Sequence, residues 1–278
     1  MINKNKNKNK KICISICSYR DFDVYNTIDS LFKNANNYKN IFIYVYLQDS
    51  IYTFYKSFFC IKNIYRQNVF IKTTSYKNAK GPLYARQYII QNMIKPSNKF
   101  KMFNYYLQLD SHMRFIPNWD IILINNYENL FPEKKIISYY PPGSFLEEKE
   151  KIPVLIEKEK IHNDRIDKYK TRFINSNIIR NYFSSEYIAA GFFFTEIKFI
   201  LYEKKNYPMI EIPYLFQGEE MLLTYYFVKK NNFIIFSPCE NIAIHKYTRN
   251  NEHKIWNNIE NWKELNNKAI EKLNKIIL

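Results

Sequence analysis

Two residues near the middle of the chain have types and spacing that could hold a metal. In "NYYLQLDSHMRFIPNWD", Asn104 to Asp120, an alternating apolar run ends at Asp110, and His112 comes two residues later. A carboxylate and an imidazole so spaced, where an extended segment turns, can face one divalent cation. The same spacing also suits a plain turn, with Asp110 capping the next helix or turn and His112 in water. A third candidate, His245, lies in "NIAIHKYTR" beside Ile244, where a buried imidazole needs a hydrogen bond or a metal. His162 and His253 sit in charged, loop-like surroundings and read as surface residues. One carboxylate and two imidazoles would leave coordination positions open. Such a set suits Mn2+, with Mg2+ the harder, oxygen-preferring alternative and zinc or iron also chemically admissible. Open positions filled by diphosphate oxygens would let the cation neutralise charge on a departing nucleotide diphosphate.

The elements that must position these residues alternate between strand and helix. "KICISIC", "NIFIYVYLQD", "NVFIKTT" and "YYLQLD" read as strands; Val24 to Lys33 and Gly81 to Ile94 have helical spacing. In the second helix Leu83, Tyr84, Tyr88, Ile89 and Met93 form the expected apolar face, entered through Gly81-Pro82. The pattern predicts an α/β fold with a mostly parallel sheet, in which Ser18 to Asp21, Asp49 and Asp110 gather at the carboxyl ends of the strands. Further on, a helix over Asn118–Asn129, a strand over Lys134–Pro141, a strand or turn over Ala189–Glu196, an amphipathic helix over Gly218–Asn231 and a strand delivering His245 are expected. Pro142 to Lys170 reads as a long irregular surface excursion. The closing stripe of Ile255, Ile259, Trp262, Leu265, Ala269, Leu273 and Ile276 predicts a C-terminal helix, over 251–278, packed on the domain. The expected organisation is thus a disordered Lys/Asn tail over 1–10 and a catalytic domain over 11–250. That domain divides into a nucleotide-binding half at about 11–115 and an acceptor half at about 116–250.

Bulk composition narrows the class. With 46% hydrophobic and 18% aromatic residues the chain of 278 residues is built to fold. Its net charge of +16, from 42 basic and 26 acidic residues, invites a nucleic-acid reading. Asn, Lys, Ile, Tyr and Phe are abundant throughout, however, so the charge reflects a general coding bias, and it could equally attract an anionic small molecule. Cys13, Cys17, Cys60 and Cys239 form no CxxC pair and read as small buried hydrophobes in a reducing compartment. No apolar run reaches the roughly 18 residues of a membrane span, and no signal-peptide core is present, so a cytoplasmic location is expected.

Six runs, taken in order, carry a resemblance: "SICSYRDFDVYNTIDSLFKNA", "GPLYARQYIIQ", "YYLQLDSHMRFIPNWD", "AAGFFF", "PYLFQGEEMLLTYYF" and "FSPCENIAIHKYTR". Together they resemble the cytoplasmic N-acetylglucosaminyltransferases that modify hydroxyproline on a ubiquitin-ligase adaptor, over Lys11 to Arg249. The resemblance implies a GT-A glycosyltransferase fold, a Rossmann-like mixed sheet flanked by helices. It also implies a UDP-sugar donor, usually UDP-GlcNAc, a divalent metal, a hydroxyl acceptor on protein or glycan, and retention of anomeric configuration. The family's Asp-x-His, a variant of Asp-x-Asp, maps onto Asp110 and His112, and its late histidine onto His245; polypeptide GalNAc-transferases use a similar set.

Within that resemblance, Ser18, Tyr19, Arg20, Arg86, Ser111 and Gly191 are expected to bind the nucleotide sugar. Tyr19 would stack on uracil and Arg20 would give paired hydrogen bonds to ribose or phosphate. The competing reading of Arg20 is a surface pair with Asp21, and that of Arg86 a helix-surface salt bridge. Gly191 fits a close backbone approach. Glu219 and Glu220 are the candidate catalytic carboxylates, binding sugar hydroxyls or orienting the acceptor, although one could merely complement the helix dipole. Front-side attack with retention needs no protein base, because the departing diphosphate can take the acceptor proton. Acceptor specificity is expected within Phe145–Lys170 and Pro213–Phe216. Two rivals use the same residues differently: an Fe(II) oxygenase with a two-histidine, one-carboxylate triad, and a basic binding module without turnover.

Overall fold

The computed structural model describes residues 9–50, 60–96, 101–144, 151–161, 166–175, 182–201, 207–248 and 253–278. Most of the Lys/Asn tail, His162 and Arg249 lie outside the described residues. Strands β1 (Ile12–Tyr19), β2 (Ile41–Gln48), β3 (Val69–Thr74) and β4 (Tyr105–Leu109) run parallel in the order β3-β2-β1-β4. The sheet continues through β10 (Phe192–Glu196), antiparallel to β4, and then β6 (Lys135–Ser138), β11 (Ile234–Phe236) and β9 (Ser184–Ser185), to eight strands. The sheet is therefore mixed, with the expected parallel half and a second half in which β10 and β9 run against their neighbours while β6 and β11 are parallel to each other.

The period of two along each strand sorts side chains onto two faces. Ile12, Ile14 and Ile16, Ile41, Ile43, Val45 and Leu47, and Leu107 and Leu109 meet α1 (Val24–Lys33) and α3 (Trp119–Glu128) on one face. Cys13, Phe42, Tyr44, Tyr46, Tyr106 and Phe193 point the other way, onto α2 (Pro82–Tyr88), its continuation Ile89–Ile94 and the short α4 (Lys198–Leu201). Both sheet faces are thus covered, which is why the central strands read as nearly continuous apolar runs.

Three elements before the C-terminal helix depart from the sequence expectation. The second helix turns into a π-helical segment at Ile89–Ile94, and its buried face runs through Leu83, Ala85, Arg86, Gln87, Ile89, Ile90 and Ile94. Tyr84, Tyr88 and Met93 are only partly buried. The wider turn rotates the stripe, and a charge-paired arginine takes a position that hydropathy assigns to water. The helix expected over Gly218–Asn231 likewise divides into α5 (Glu219–Thr224) and a π-helical stretch at Tyr225–Lys230. The expected irregular excursion instead holds a long hairpin of β7 (Lys151–Ile161) and β8 (Ile166–Asn175), bulged between Leu155 and Glu157. Its alternating charges pair across the strands, Lys170 with Glu159 at 2.9 Å and Lys158 with Asp167 at 3.1 Å, so charge density there marks a solvated ribbon.

The C-terminal helix α6 (Trp262–Ile277) starts later than the stripe suggests, and Ile255 belongs to a separate short turn at Ile255–Asn257. Ala269, Ile270 and Leu273 of α6 pack with Leu222 and Leu215 and with Ile166 of β8. This third cluster joins α6 to the 212–222 region and to β8. Among the described residues no helix is long and apolar enough to cross a membrane.

Candidate active site

The carboxyl ends of parallel strands leave a crevice where the connections diverge, and the first chemistry-bearing residues emerge there. A cleft of about 460 Å³ is lined by Ser18 and Tyr19 at the end of β1, Asp21 beyond it, Gln48 at the end of β2, and Asp110, Ser111 and His112 after β4. Gly191, at the start of β10, and Arg86, Glu219 and Glu220 from two helices complete its floor. The backbone of Asp110 donates to the Gly191 carbonyl at 3.1 Å, which fixes where the carboxylate leaves the sheet.

A small separate ladder brings the late histidine to the early pair. Strand β12 (Ala243–His245) runs antiparallel to β5 (Met113–Phe115), with His245 opposite Met113. The Lys246 N–H donates to the His112 carbonyl at 3.0 Å. The two imidazole rings consequently stand 4.4 Å apart, and one potential ligand atom from each of Asp110, His112 and His245 lies within 4.8 Å of the others.

The donor set fits a divalent cation on its own geometry. His245 Nε2 lies 3.1 Å from Asp110 Oδ2. Two ligands at right angles with bonds of about 2.1 Å stand about 3 Å apart, so this separation, here spanned by a hydrogen bond, also admits a shared cation. His112 Nδ1 lies 2.8 Å from Asp21 Oδ2, which also accepts from Ser111 Oγ at 2.6 Å. A neutral imidazole so placed carries its proton on Nδ1 and its lone pair on Nε2, the arrangement by which outer carboxylates orient metal-binding histidines.

Arg86 supports the carboxylate from below. Only 3% exposed, it binds Asp110 Oδ1 through Nη2 at 2.7 Å and Glu219 Oε2 through Nη1. Burial opposes its charge, but the facing Glu219 and nearby Asp110 raise its pKa well above the ordinary value. Burial pushes the Asp110 carboxyl up, yet the hydrogen bond from His245 and the charges of Arg86 and the histidines hold it well below the usual range. Asp110 is therefore an anion at any working pH. Gly191 makes room for it: a β-carbon there would sit 2.5 Å from Asp110 Oδ2.

The two glutamates have different surroundings. Glu219 is buried and committed to Arg86, with burial raising its pKa. Glu220 accepts from the Tyr140 hydroxyl at 2.5 Å and from the Ala190 N–H at 3.1 Å. Burial, partly countered by those two hydrogen bonds, pushes Glu220 up to about 7. Cys17 also borders the cleft, and burial pushes its thiol up to about 11, as an unreactive thiol requires. Cys13 is buried as expected, but Cys17 and Cys239 are only half-buried and Cys60 is exposed, and among the described residues no disulfide joins any two of them.

Residues 52–278 match the family described as Glycosyltransferase (GlcNAc), more than half of the chain. The chain belongs to that family. The matched span begins after β2, so the loop carrying Ser18 to Asp21 lies outside it. No curated protein matches the chain in sequence. Among solved structures, GalNAc-T7, crystallised with UDP, GalNAc and Mn2+, is 15% identical with a TM-score of 0.57, over 86% of this chain and 43% of that one. The S. aureus TarS 1-349 complex with UDP-GlcNAc is 12% identical with a TM-score of 0.50, over 95% of this chain and 66% of that one. This GlcNAc glycosyltransferase family member thus spans less than two thirds of either neighbour's length. At such identities the likeness shows a shared GT-A fold, the fold class that strand–helix alternation and the resemblance led us to expect.

Of the residues singled out from sequence, the fold of this family member gathers Asp110, His112, His245, Ser18, Tyr19, Ser111, Arg86, Gly191, Glu219 and Glu220 around one cleft. Arg20 departs from expectation. It adopts a left-handed backbone conformation, φ 47°, and its guanidinium lies over the Tyr76 ring at 4.4 Å and donates to Asn258 at 3.0 Å. It does not pair with Asp21, whose carboxylate serves Ser111 and His112. Asp49 also turns aside, accepting from the Ser50 N–H at 2.7 Å, and its neighbour Gln48 reaches the cleft instead. Arg86 is no surface salt bridge but a buried link between two acids. His253 is exposed, as expected, yet it borders the cleft. Sequence reasoning missed Asp21 as the partner of His112, and Gln48 and Tyr140 as cleft residues. The first pair is separated by 91 positions, so no local signal connects it.

Proposed function

We propose that this protein transfers a sugar, GlcNAc, from UDP-GlcNAc to a hydroxyl acceptor with retention of anomeric configuration, using a divalent cation, Mn2+, held by Asp110, His112 and His245. The observation that carries the reading is the convergence of those three side chains at the carboxyl end of β4, in a cleft of nucleotide-sugar size. Family membership and two fold neighbours solved with UDP or UDP-GlcNAc favour a UDP-sugar donor. The bound cation would supply Lewis-acid neutralisation of the diphosphate as it departs.

The protein's own residues take defined parts in this proposal. Asp21, through Ser111 and His112, sets the ring orientation of one ligand. Arg86 fixes the Asp110 carboxylate and lends positive charge to the cleft floor. Tyr19 and Gln48 border the end where a nucleobase would lie, and the Gln48 side-chain nitrogen is buried without a hydrogen-bond partner, a donor suited to a pyrimidine carbonyl. Glu220, held between Tyr140 and the Ala190 N–H, orients the acceptor or donor hydroxyls.

Retention enters this proposal through the resemblance of the sequence to retaining N-acetylglucosaminyltransferases. Asp21, Asp110, Asp167, Glu219 and Glu220 each already have a cationic or hydrogen-bonding partner. A front-side displacement, in which the leaving diphosphate accepts the acceptor proton, asks for no additional base.

The test is UDP release from a panel of UDP-sugars with Mn2+, with and without hydroxyl acceptors, for wild type, Asp110→Ala and His245→Ala. Metal-dependent release abolished by both substitutions, with product of unchanged anomeric configuration by NMR, is expected. Absence of release and of thermal stabilisation by UDP plus Mn2+ would overturn the reading.

A further inference from the structure

Two of the largest apolar side chains left in water stand together at the mouth of the cleft. Phe216 is 40% exposed and Trp256 41% exposed, their ring centroids 5.1 Å apart and nearly perpendicular. Trp262, at the start of α6, adds a third ring 6.4 Å from Phe216. Isolated exposed apolar residues need no explanation, but a contiguous aromatic set beside a reaction cleft marks a binding surface.

The groove these rings form is a continuation of the cleft, because Phe216, Gln217 and Trp256 border both. Gln217, Asn261 and Lys263 supply polar groups along its rim, and none of its lining residues is a carboxylate. Its position is rigidly tied to the donor side. Gly81, which opens the helix bearing Arg86, passes so close to Leu215 that a β-carbon on Gly81 would meet the Leu215 carbonyl at 2.7 Å. Next to it the Tyr214 N–H donates to the Lys80 carbonyl at 2.6 Å, with Tyr214 in the left-handed region at φ 66°. These contacts hold the backbone leading to Phe216 against the start of the helix that bears Arg86.

We propose that this aromatic groove is an acceptor subsite for a pyranose ring, so that the acceptor is a glycan or an already glycosylated molecule. The inference rests on the glycosyltransferase reading and names its acceptor class. A pyranose presents a face of C–H bonds with slight positive charge and an edge of hydroxyls. The negative π-face of Phe216, or the face of Trp256 not taken by the Lys254 ammonium that lies 5.6 Å from its ring centroid, suits the first, and the amide and ammonium groups of Gln217, Asn261 and Lys263 suit the second. An extended peptide would gain most from a free strand edge, and no residue lining the groove belongs to a strand. A nucleic acid would need several cations, and Lys263 is the one basic residue lining this groove among the described residues.

The experiment is saturation-transfer NMR on the full chain with methyl pyranosides of GlcNAc, glucose, galactose and mannose, and with a proline-rich hydroxylated peptide as competitor. Trp256→Ala and Phe216→Ala are compared with wild type, and near-ultraviolet circular dichroism shows that each variant is folded. Transfer from aromatic protons to at least one pyranoside is expected, weakened at least about fivefold in either variant. No transfer to any pyranoside, transfer indifferent to both substitutions, or binding of the peptide alone would overturn the proposal. Stabilisation of the wild type by UDP plus Mn2+, measured separately, reports the donor site. Its presence without pyranoside binding would remove the subsite and leave the donor reading in place; its absence alongside pyranoside binding would do the reverse.

Discussion

Gly191 lies against Asp110 so tightly that a β-carbon added to it would stand 2.5 Å from the carboxylate oxygen nearest His245. The glycine sets the position of the central candidate ligand. Gly191→Ala must therefore displace the carboxylate or the strand, and overpacking of this kind costs about 1–3 kcal/mol. Because a displacement of about 1 Å can cost about a hundredfold in rate, UDP release should fall far more than stability does. Parallel measurement of Mn2+-dependent UDP release and urea denaturation checks this; equal loss in both would assign Gly191 a purely packing role.

Asp21→Asn should weaken the metal site without touching a ligand. The amide can no longer hold His112 Nδ1–H as a carboxylate does, and loss of such an outer partner lowers metal affinity about tenfold to a hundredfold. Isothermal titration with Mn2+ in the presence of UDP reads the change. Unaltered affinity would mean that the 2.8 Å contact between Asp21 and His112 is incidental.

Arg86→Met should be among the most destabilising single changes, because it leaves Glu219 buried at 3% exposure without its cation. Breaking one side of a buried pair costs about 3–5 kcal/mol, whereas an apolar replacement of both partners is often neutral. The double variant Arg86→Met, Glu219→Met should accordingly recover much of the lost denaturation midpoint while remaining inactive, since Asp110 loses its support in both. A double variant no more stable than Arg86→Met would argue against an uncompensated Glu219 as the cause.

Stability should also carry a signature of Glu220, whose pKa rises from 4.5 to about 7. A carboxyl raised in the folded state binds its proton more tightly there than in the unfolded chain. Its contribution is fully present below about pH 4.5 and is lost as pH rises through 7. The shift corresponds to about 3 kcal/mol across that window as an order of magnitude. Glu220→Gln should remove this slope, so the variant gains on wild type between pH 5 and 7.5 in chemical denaturation at each pH. Parallel curves for the two proteins would show that Glu220 ionises as an ordinary carboxylate.

The parallel half of the sheet was legible because its strands announce themselves locally. Ile12 to Cys17 and Ile41 to Leu47 are short, apolar and rich in β-branched or aromatic residues, and such runs need two covered faces. Asp110 and His112 were legible as candidate ligands for the same reason, since a strand end and a two-residue spacing are local facts. The β7–β8 hairpin was not: β7 passes from the apolar run Ile152 to Ile156 straight into the charged run Glu157 to Lys160, and neither shows the period of two that marks a strand. The buried pairing of Arg86 was not legible, because a charged residue on a helix is assigned to water unless a partner is known, and Glu219 is 133 positions away.

By itself, then, the sequence determined the α/β alternation, the strand-end residues and a set of candidate ligands, all of which arise from short-range patterning. The tertiary structure alone decided which long-range partners meet: Asp21 with His112, Arg86 with Asp110 and Glu219, Gly191 with Asp110, and Arg20 with Tyr76 and Asn258 instead of the cleft. The physical reason is that burial and charge pairing act through space. The cost of an unpaired buried charge is settled by whichever group the folded chain brings within about 3 Å, and no spacing along the chain encodes that distance.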